Sequence, residues 1–263
     1  MNILITGANG FLGRSIRSSN ILKQHKLFFT SRKELDVLDK GSLFDYLLSN
    51  EINVIIHTAV VGHPGQDGVQ TLQHNLKADL NILQSHKLVD KIIIFGSGAE
   101  YTYGLTDYYG FGKYTTSCAA RCIDNVYNLR LFGCFGPEEN DTRFIKSNLA
   151  RYKNNKPIKI DQDLYMDFIY IDDLLLLVNR IINKEYSNIQ EINCVYEKKY
   201  KLSDIADIIN NQNEHKVPYF STKPWLQGYL GQSYSTPAEN ILFFQLKFKG
   251  LEQGIREMYN EEN

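Results

Sequence analysis

Cysteine is scarce in this sequence, which has four cysteines among 263 residues: Cys118, Cys122, Cys134 and Cys194. They show no Cys-x-x-Cys spacing, and no matching cluster of histidines accompanies them. The pattern argues against a disulfide framework and against a zinc site. We therefore expect free thiols in a reducing compartment and no bound metal.

The sequence also lacks an excess of charge of one sign and a long apolar run. The formal net charge is −1 and no basic stripe stands out, so we expect no nucleic-acid partner. The longest apolar run, at residues 174–178, is far shorter than a membrane span and follows Asp172 and Asp173. Because no basic segment precedes the apolar residues that begin at Asn2, we expect a cytoplasmic protein without a membrane partner.

Apolar runs alternate with helix-like segments along the first half of the chain. Five of these runs are short and nearly continuous, which is typical of buried parallel strands. The alternation predicts an α/β fold, with helices on both faces of a doubly wound parallel sheet. The predicted strands are residues 1–6, 26–30, 53–57, 91–96 and 126–132, and the predicted helices are residues 11–20, 41–49, 69–85 and 108–123.

A glycine-spaced turn joins the first predicted strand to the first helix. Gly7, Gly10 and Gly13 stand in a Gly-x-x-Gly-x-x-Gly pattern. Glycine permits a tight turn and lets backbone N–H groups approach a pyrophosphate, to which the helix N-terminus adds a favourable dipole. A tight turn without a ligand is the alternative, but the position at the first strand of an alternating chain favours a Rossmann-type dinucleotide site.

The end of the second predicted strand indicates which dinucleotide binds. An acidic residue usually meets the ribose 2′-hydroxyl of NAD here, whereas the 2′-phosphate of NADP requires cations and hydroxyls. No acid stands at the strand end, and Ser31, Arg32 and Lys33 follow it. The pattern favours NADPH, with Asp36 as an acceptor for the adenine amino group. A solvated basic turn and NAD as the cofactor are the alternative.

Tyr109 and Lys113 form a Tyr-x-x-x-Lys pair on one face of a predicted helix. The ammonium group of Lys113 favours the phenolate form of Tyr109, which makes this tyrosine a usable acid or base near neutral pH. Ser97 follows the fourth predicted strand, at the sheet edge where ligands bind in such folds. These three residues predict hydride chemistry at a carbonyl, with Ser97 as a hydrogen-bond donor to its oxygen.

With these motifs, the sequence resembles the extended short-chain dehydrogenase/reductases, in the sugar-nucleotide epimerase/dehydratase branch. The resemblance covers nearly the whole chain and implies that Ser97, Tyr109 and Lys113 are the catalytic triad. It rests on residues 6–13, 56–59, 129–132, 135–137, 167–174 and 250–255, together with Asn75 and the triad. With the arguments above, it predicts cofactor contacts from Gly7, Asn9, Gly10, Phe11, Leu12, Gly13, Ser31, Arg32, Lys33, Asp36, Val37, Ala59, Asn75, Tyr109 and Lys113. His63 and His74 are interpreted as surface residues.

Within this branch, residues 31–39 resemble the GDP-fucose synthases, which use NADPH. Those enzymes also epimerise with a cysteine and a histidine, at positions that hold Ala99 and Glu138 here. The 4,6-dehydratases carry an Asp-Glu pair where this sequence has Gly98 and Ala99. The resemblance therefore implies NADPH-dependent reduction of the 4-keto group of a nucleotide-linked 6-deoxy sugar, as in bacterial surface-polysaccharide precursor synthesis. An NAD-dependent nucleotide-sugar 4-epimerase is the alternative, and a non-catalytic dinucleotide sensor is a third hypothesis.

The second half of the chain has a less regular pattern. We predict a helix at residues 141–152, a strand at 157–160, a strand at 167–171 that rejoins the sheet, and a helix at 172–183. The expected domains are a dinucleotide-binding domain (residues 1–132 plus 167–193) and a small substrate lobe (residues 133–166 plus 194–263).

The resemblance also bears on substrate contacts and assembly. Gly133 and Met166 stand where the family often has asparagine and arginine. Contacts to the substrate diphosphate must then come from elsewhere, and Arg143 and Lys146 are candidates, with solvated helix charges as the alternative. The resemblance further implies a homodimer formed through residues 69–85 and 108–123.

Overall fold

The strands in the described part of the chain belong to one large sheet and two small ones. The computed structural model describes residues 1–62, 68–102, 107–184, 189–221 and 234–261. Within these ranges the strands are β1 (Asn2–Thr6), β2 (Lys26–Thr30), β3 (Val54–His57), β4 (Lys91–Ser97), β5 (Val126–Leu131), β6 (Cys134–Phe135), β7 (Ile158–Ile160), β8 (Ile169–Tyr170), β9 (Glu191–Asn193) and β10 (Tyr219–Ser221).

Helices connect most of these strands. They are α1 (Phe11–Ser18), α2 (Lys40–Ser49), α3 (Val69–Gln84), α4 (Ala99–Thr102), α5 (Tyr108–Ala120), α6 (Phe144–Lys153), α7 (Ile171–Asn183), α8 (Leu202–Asn210), α9 (Glu239–Leu242) and α10 (Gly250–Glu261). All strands and helices predicted before residue 133 are present, and the helix predicted to start at residue 141 begins at Phe144. No helix in the described ranges is long and apolar enough to cross a membrane.

The large sheet has six parallel strands in the order β2-β1-β3-β4-β5-β9. Thr6, the last residue of β1, pairs with Thr30 of β2 on one side and with His57 of β3 on the other. The carboxyl ends of these three strands are therefore level. The strand order reverses between β1 and β3, and open α/β sheets bind ligands at such a reversal.

Alternate residues of each strand pack on opposite faces of this sheet. Ile3 and Ile5 belong to one apolar core, whereas Leu4 belongs to the other. The first core includes residues of α1, α7, α8 and α10, and the second includes residues of α2 and α3. Helices thus cover both faces, which explains why the strands are continuous apolar runs.

The prediction that residues 167–171 rejoin the main sheet is wrong. Ile169 and Tyr170 pair instead with Cys134 and Phe135, in a separate two-stranded sheet. The place beside β5 is taken by β9, in the register Asn128↔Glu191. Polar contacts explain why β9 pairs with β5: Glu191 and Asn193 of β9 both accept hydrogen bonds from the buried Arg130 of β5.

Lys91 joins the start of β4 to the end of α7. Its buried ammonium group donates to the carbonyl oxygens of Ile181, Ile182 and Lys184, at 2.9, 2.9 and 2.8 Å. The last carbonyls of a helix lack partners within the helix and carry partial negative charge. A buried cation at this position therefore fixes α7 against the sheet.

We expect Lys91→Met to lower the free energy of unfolding by about 1.5–3 kcal/mol, because charge-assisted hydrogen bonds are lost and buried carbonyls are left unpaired. Urea denaturation at neutral pH measures the change. The matched control is Lys87→Met, since Lys87 is exposed near the same strand. Equal stability of the two variants would contradict this role of Lys91.

Candidate active site

The turn after β1 approaches the segment after β3 very closely. Gly7 has φ +67°, and a Cβ atom there would lie 2.6 Å from the Cα of Ala59. Only glycine satisfies both the backbone angle and the space. The Gly10 N–H donates to the Gly7 carbonyl at 2.9 Å, and no side chain of the described residues caps the first turn of α1. The N-terminus of α1 therefore remains available to an anion.

A cavity of about 650 Å³ opens beside this turn, at the ends of β1, β2 and β3. It brings together most of the predicted cofactor residues: Gly7, Asn9, Gly10, Phe11, Leu12, Ser31, Arg32, Lys33, Asp36, Val37, Ala59 and Asn75. Gly13 does not line this cavity. It lies against the turn instead: a Cβ there would be 2.6 Å from the Cα of Ala8, so glycine lets α1 pack close to the turn after β1. The lining also includes Thr6, Glu34, Leu35, Thr58, Val60, Val61, His74 and Ala78.

An acid does lie at the end of β2, against our expectation. The carboxylate of Glu34 accepts hydrogen bonds from the backbone N–H of Ser31, at 2.8 Å, and from the Ser31 hydroxyl. These hydrogen bonds hold the pKa of Glu34 below its usual value. Glu34 is four residues beyond Thr30, the last residue of β2, and the turn folds its side chain back into the cavity lining.

His74 lines this cavity, although its sequence position favoured an interpretation as a surface residue. Arg32 donates to Nε2 of His74 at 2.8 Å. Partial burial and the neighbouring Arg32 charge lower the pKa of His74, while Asp36 opposes them. The imidazole is therefore neutral at pH 7 and accepts from the guanidinium group. His74 directly precedes Asn75 on α3, and this position was the sequence signal that could have indicated a place in the cavity. His63, the other histidine interpreted as a surface residue, lies outside the described residues.

Asn75 clamps the backbone that follows β3. Its Oδ1 accepts from the Val61 N–H at 3.0 Å, and its Nδ2 donates to the Val61 carbonyl at 2.9 Å. Asn75 also lines a second, smaller cavity, together with Thr71, Leu72, Asp79, Tyr108, Tyr109, Gly112 and Lys113. This cavity holds only about 10 Å³, and through Asn75 it places Tyr109 and Lys113 next to the larger cavity.

Lys113 contacts β4, the strand that ends at Ser97. The Lys113 ammonium group donates to the Phe95 carbonyl of β4 at 2.9 Å, and Ser97 is the last residue of that strand. The buried Ser97 hydroxyl accepts from the Ala99 N–H at 3.2 Å and contacts the Tyr234 hydroxyl at 3.1 Å. Ser97 is not among the residues that line either cavity.

A buried ion network supports this strand end. The Ser97 N–H donates to Glu100 at 2.8 Å, and the same carboxylate accepts from Arg130 at 2.7 Å. Arg130 also donates to Ser117 of α5 at 3.2 Å and to Glu191 at 2.9 Å. Burial would lower the pKa of Arg130, but Glu100, Tyr101 and Glu191 outweigh it and raise that pKa, so the group stays charged.

The surroundings of Gly98 and Glu138 bear on whether an extra acid or base can act at these positions. A Cβ at Gly98 would lie 2.4 Å from the ring of Phe132 and 2.8 Å from the ring of Tyr234. A carboxylate side chain therefore has no space at this position. Glu138 forms an ion pair with Arg14 of α1 at 3.2 Å and accepts from Ser18 at 3.0 Å.

Lys146 and Arg143, the two candidate ligands of the substrate diphosphate, differ in their surroundings. Lys146 donates to the carbonyls of Pro137 and Glu139 at 2.7 and 2.8 Å, and it pairs with Asp141 at 2.9 Å. These contacts hold it to the loop before α6. Arg143 is half exposed and lies 3.5 Å from Glu139, so it is the more accessible cation. No metal-binding group of His, Cys, Asp and Glu side chains is found within the described ranges.

Asp79 and His57 form a buried polar pair near Lys113. Asp79 accepts from His57 Nε2 at 3.1 Å and from the Thr116 hydroxyl at 2.7 Å, while Thr6 contacts His57 Nδ1 at 2.7 Å. Burial alone would raise the pKa of Asp79. The Lys113 charge and the hydrogen bonds from His57 and Thr116 outweigh burial and lower it. Asp79 is therefore ionised and supplies a negative charge near Lys113.

Comparison with known proteins identifies the class. The chain belongs to the NAD dependent epimerase/dehydratase family, whose model matches residues 3–194. This confirms the family resemblance. A GDP-L-colitose synthase from Yersinia pseudotuberculosis is 26% identical over 249 residues, covering 80% of this chain and 81% of that protein.

Solved structures show the same fold. A GDP-mannoheptose C4 reductase from Campylobacter jejuni, with NADP bound, has a TM-score of 0.77 at 20% identity, over 98% of this chain and 97% of that one. A UDP-glucose 4-epimerase from Thermotoga maritima, with UDP-glucose, has a TM-score of 0.78 at 18% identity, over 99% and 98%. At such identities the likeness concerns the fold alone, and it confirms the predicted Rossmann-type fold.

We expect Asp79→Asn to lower the free energy of unfolding at pH 7 by about 1.5–3 kcal/mol, because buried hydrogen bonds to a charged group are weakened. The folded-state pKa of Asp79 lies below its unfolded value, so this stabilisation is present above about pH 4 and is lost as pH falls through the folded-state pKa. Urea denaturation between pH 7 and pH 3.5 measures it, with the exposed Asp45→Asn as control. A difference that grows on acidification would contradict the account.

Proposed function

We propose that this chain is an NADPH-dependent reductase of the 4-keto group of a nucleotide-linked 6-deoxy sugar, a step in making bacterial surface-polysaccharide precursors. The observation that carries the proposal is that Tyr109 and Lys113 line one small cavity, which shares Asn75 with the glycine-turn cavity. The relatives' names support it, since they include a colitose synthase and a C4 reductase of nucleotide-linked sugars.

The cavity residues fit a dinucleotide. The glycine turn and the uncapped α1 N-terminus would hold the pyrophosphate, and the end of β2 would hold the adenosine ribose. When bound, the nicotinamide supplies a hydride. Tyr109 would hold a proton at Oη and give it to the carbonyl oxygen, and Lys113 would stabilise the resulting phenolate. Ser97 would donate a hydrogen bond to the same oxygen.

Simple reduction needs no further acid or base, and this favours it over related reactions. Dehydration and epimerisation next to the carbonyl require groups that remove and return protons on carbon. The corresponding positions hold Gly98, Ala99 and the ion-paired Glu138. Ala99 is buried, and Gly98 lies against two aromatic rings. These contacts support a reductase.

The cofactor preference is set by opposing charges at the end of β2. Arg32 and Lys33 favour the 2′-phosphate of NADPH, whereas Glu34 repels it and can accept from the 2′-hydroxyl of NAD. We propose NADPH because two cations face one carboxylate. The alternative function, an NAD-dependent 4-epimerase that needs only the same triad, is favoured by the position of Glu34 against Ser31.

Three further proposals concern the division into domains, the assembly and the cellular location. Residues 1–132 plus 167–193 would bind the dinucleotide, and residues 133–166 plus 194–263 would form the substrate lobe, where Arg143 is the more accessible cation for the diphosphate. A homodimer would form through α3 and α5, which expose Val69, Leu80 and Phe111. The free cysteines are compatible with the reducing cytoplasm that we propose as its location.

The first test uses the purified protein. Any co-purified dinucleotide is identified, and NADPH and NADH are titrated by fluorescence. Turnover is then assayed on a panel of nucleotide-linked 4-keto-6-deoxy sugars. The proposal expects exchangeable, NADPH-preferring binding and reduction of one panel member. Retained NAD with interconversion of C4 epimers would support the alternative, and stable binding without turnover would support a non-catalytic sensor.

We expect Tyr109→Phe to lower kcat by about 10²- to 10⁴-fold, because the proton donor is lost. NADPH binding should stay within about threefold, since the glycine turn and Arg32 are unchanged. The matched control is Tyr114→Phe, an exposed tyrosine on the same helix. Full turnover of Tyr109→Phe on a proven substrate would refute the role of Tyr109.

Charge at the end of β2 gives a second prediction. We expect Glu34→Gln to tighten NADPH binding by about twofold to fivefold, because an exposed carboxylate no longer repels the 2′-phosphate. Arg32→Ala should weaken NADPH binding by roughly tenfold, with little effect on NADH. Dissociation constants from fluorescence titration measure both changes, with the exposed Glu239→Gln as control. Weaker NADPH binding by Glu34→Gln would contradict this account.

A further inference from the structure

Tyr234 reaches the Ser97 turn from the C-terminal part of the chain. Its hydroxyl lies 3.1 Å from the Ser97 hydroxyl. Its ring lies against Gly98, where a Cβ would be 2.8 Å from Cζ, and its centroid is 5.1 Å from that of Phe132. The side chain is therefore held by packing on one side and by a polar contact with Ser97 on the other.

The backbone of Tyr234 is fixed as well. Its N–H donates to the Tyr165 carbonyl at 2.9 Å, and its carbonyl accepts from the Asp167 N–H at 3.0 Å. Asp167 in turn pairs with Lys199 at 3.0 Å and accepts from the Thr236 N–H at 2.8 Å. A residue held on both sides of its backbone can place its hydroxyl reproducibly.

The hydrogen-bonding capacity of Ser97 decides what this contact does. A serine hydroxyl has one hydrogen to donate and two lone pairs that accept. The Ala99 N–H already donates to Ser97 Oγ at 3.2 Å. A phenol is more acidic than an alcohol and is the better donor of the two. When Tyr234 donates as well, both lone pairs of Ser97 are occupied and its single hydrogen must point elsewhere.

We propose that Tyr234 is a positioning residue that orients the Ser97 hydroxyl, so that its hydrogen points toward the carbonyl oxygen of the substrate. This inference rests on the proposed reductase function. Tyr234 lies outside the predicted dinucleotide-binding domain. Full polarisation of the ketone therefore requires the C-terminal segment to be packed against the turn after β4.

Tyr234→Phe tests the proposal, because it removes the hydroxyl and keeps the ring against Gly98 and Phe132. We expect roughly a tenfold lower kcat, since Ser97 loses the partner that directs its hydrogen. KM for the sugar nucleotide, the NADPH dissociation constant and the melting temperature should match those of the wild type. Tyr200→Phe is the matched control, because that hydroxyl binds Glu252 at 3.0 Å, away from Ser97.

A double-mutant cycle with Ser97→Ala separates positioning from a general structural effect. If Tyr234 acts through Ser97, Tyr234→Phe lowers kcat in the wild type and has no further effect in Ser97→Ala. Losses that multiply in the double variant would overturn the proposal, as would an unchanged kcat for Tyr234→Phe. A raised KM with an unchanged kcat would also overturn it, because Tyr234 would then bind the substrate directly.

The wild-type assay distinguishes this failure from that of the proposed function. If the wild type reduces none of the 4-keto sugar nucleotides, the reductase function fails and the role of Tyr234 falls with it. If the wild type turns over and Tyr234→Phe is as fast, only the role of Tyr234 is refuted.

Discussion

The candidate site depends on the hydrogen bonds and ion pairs that the buried guanidinium group of Arg130 makes. Burying a cation costs on the order of several kcal/mol unless fixed partners surround it. Glu100, Ser117 and Glu191 are among these partners, and they come from three different elements. Glu100 also accepts from the Ser97 backbone, while Ser117 lies on the helix that carries Tyr109 and Lys113. One cation on strand β5 thus joins the two parts of the proposed catalytic machinery.

The order of the strands sets where the chemistry can occur. Because β1 lies between β2 and β3, their level carboxyl ends surround the glycine turn and the larger cavity. Strand β4 comes next and ends at Ser97, and Lys113 is bound to the Phe95 carbonyl of that strand. The proposed proton donor therefore lies next to the proposed dinucleotide site because neighbouring strands end at one edge. What distinguishes the proposed reduction from related reactions is local: aromatic rings fill the space beside Gly98.

The sequence predicted those features that depend on neighbouring residues. Continuous apolar runs indicated the strands β1 to β5, and the glycine spacing indicated the turn that lines the cavity. Strand β9 was missed because it has three residues, two of them polar, and pairs through Arg130. Glu34 was missed because a turn returns its carboxylate to Ser31. Tyr234 meets Ser97 across 137 residues of sequence, a contact that no local pattern indicates.

The most direct measurement of the proposed chemistry follows the hydride itself. NADPH carrying deuterium at the transferable position of nicotinamide C4 is supplied with a nucleotide-linked 4-keto-6-deoxy sugar, and the product is examined by NMR. The account predicts deuterium at C4 of the sugar in one configuration, with one NADPH consumed for each product formed. An epimerised sugar without deuterium, formed with no net consumption of NADPH, would contradict it.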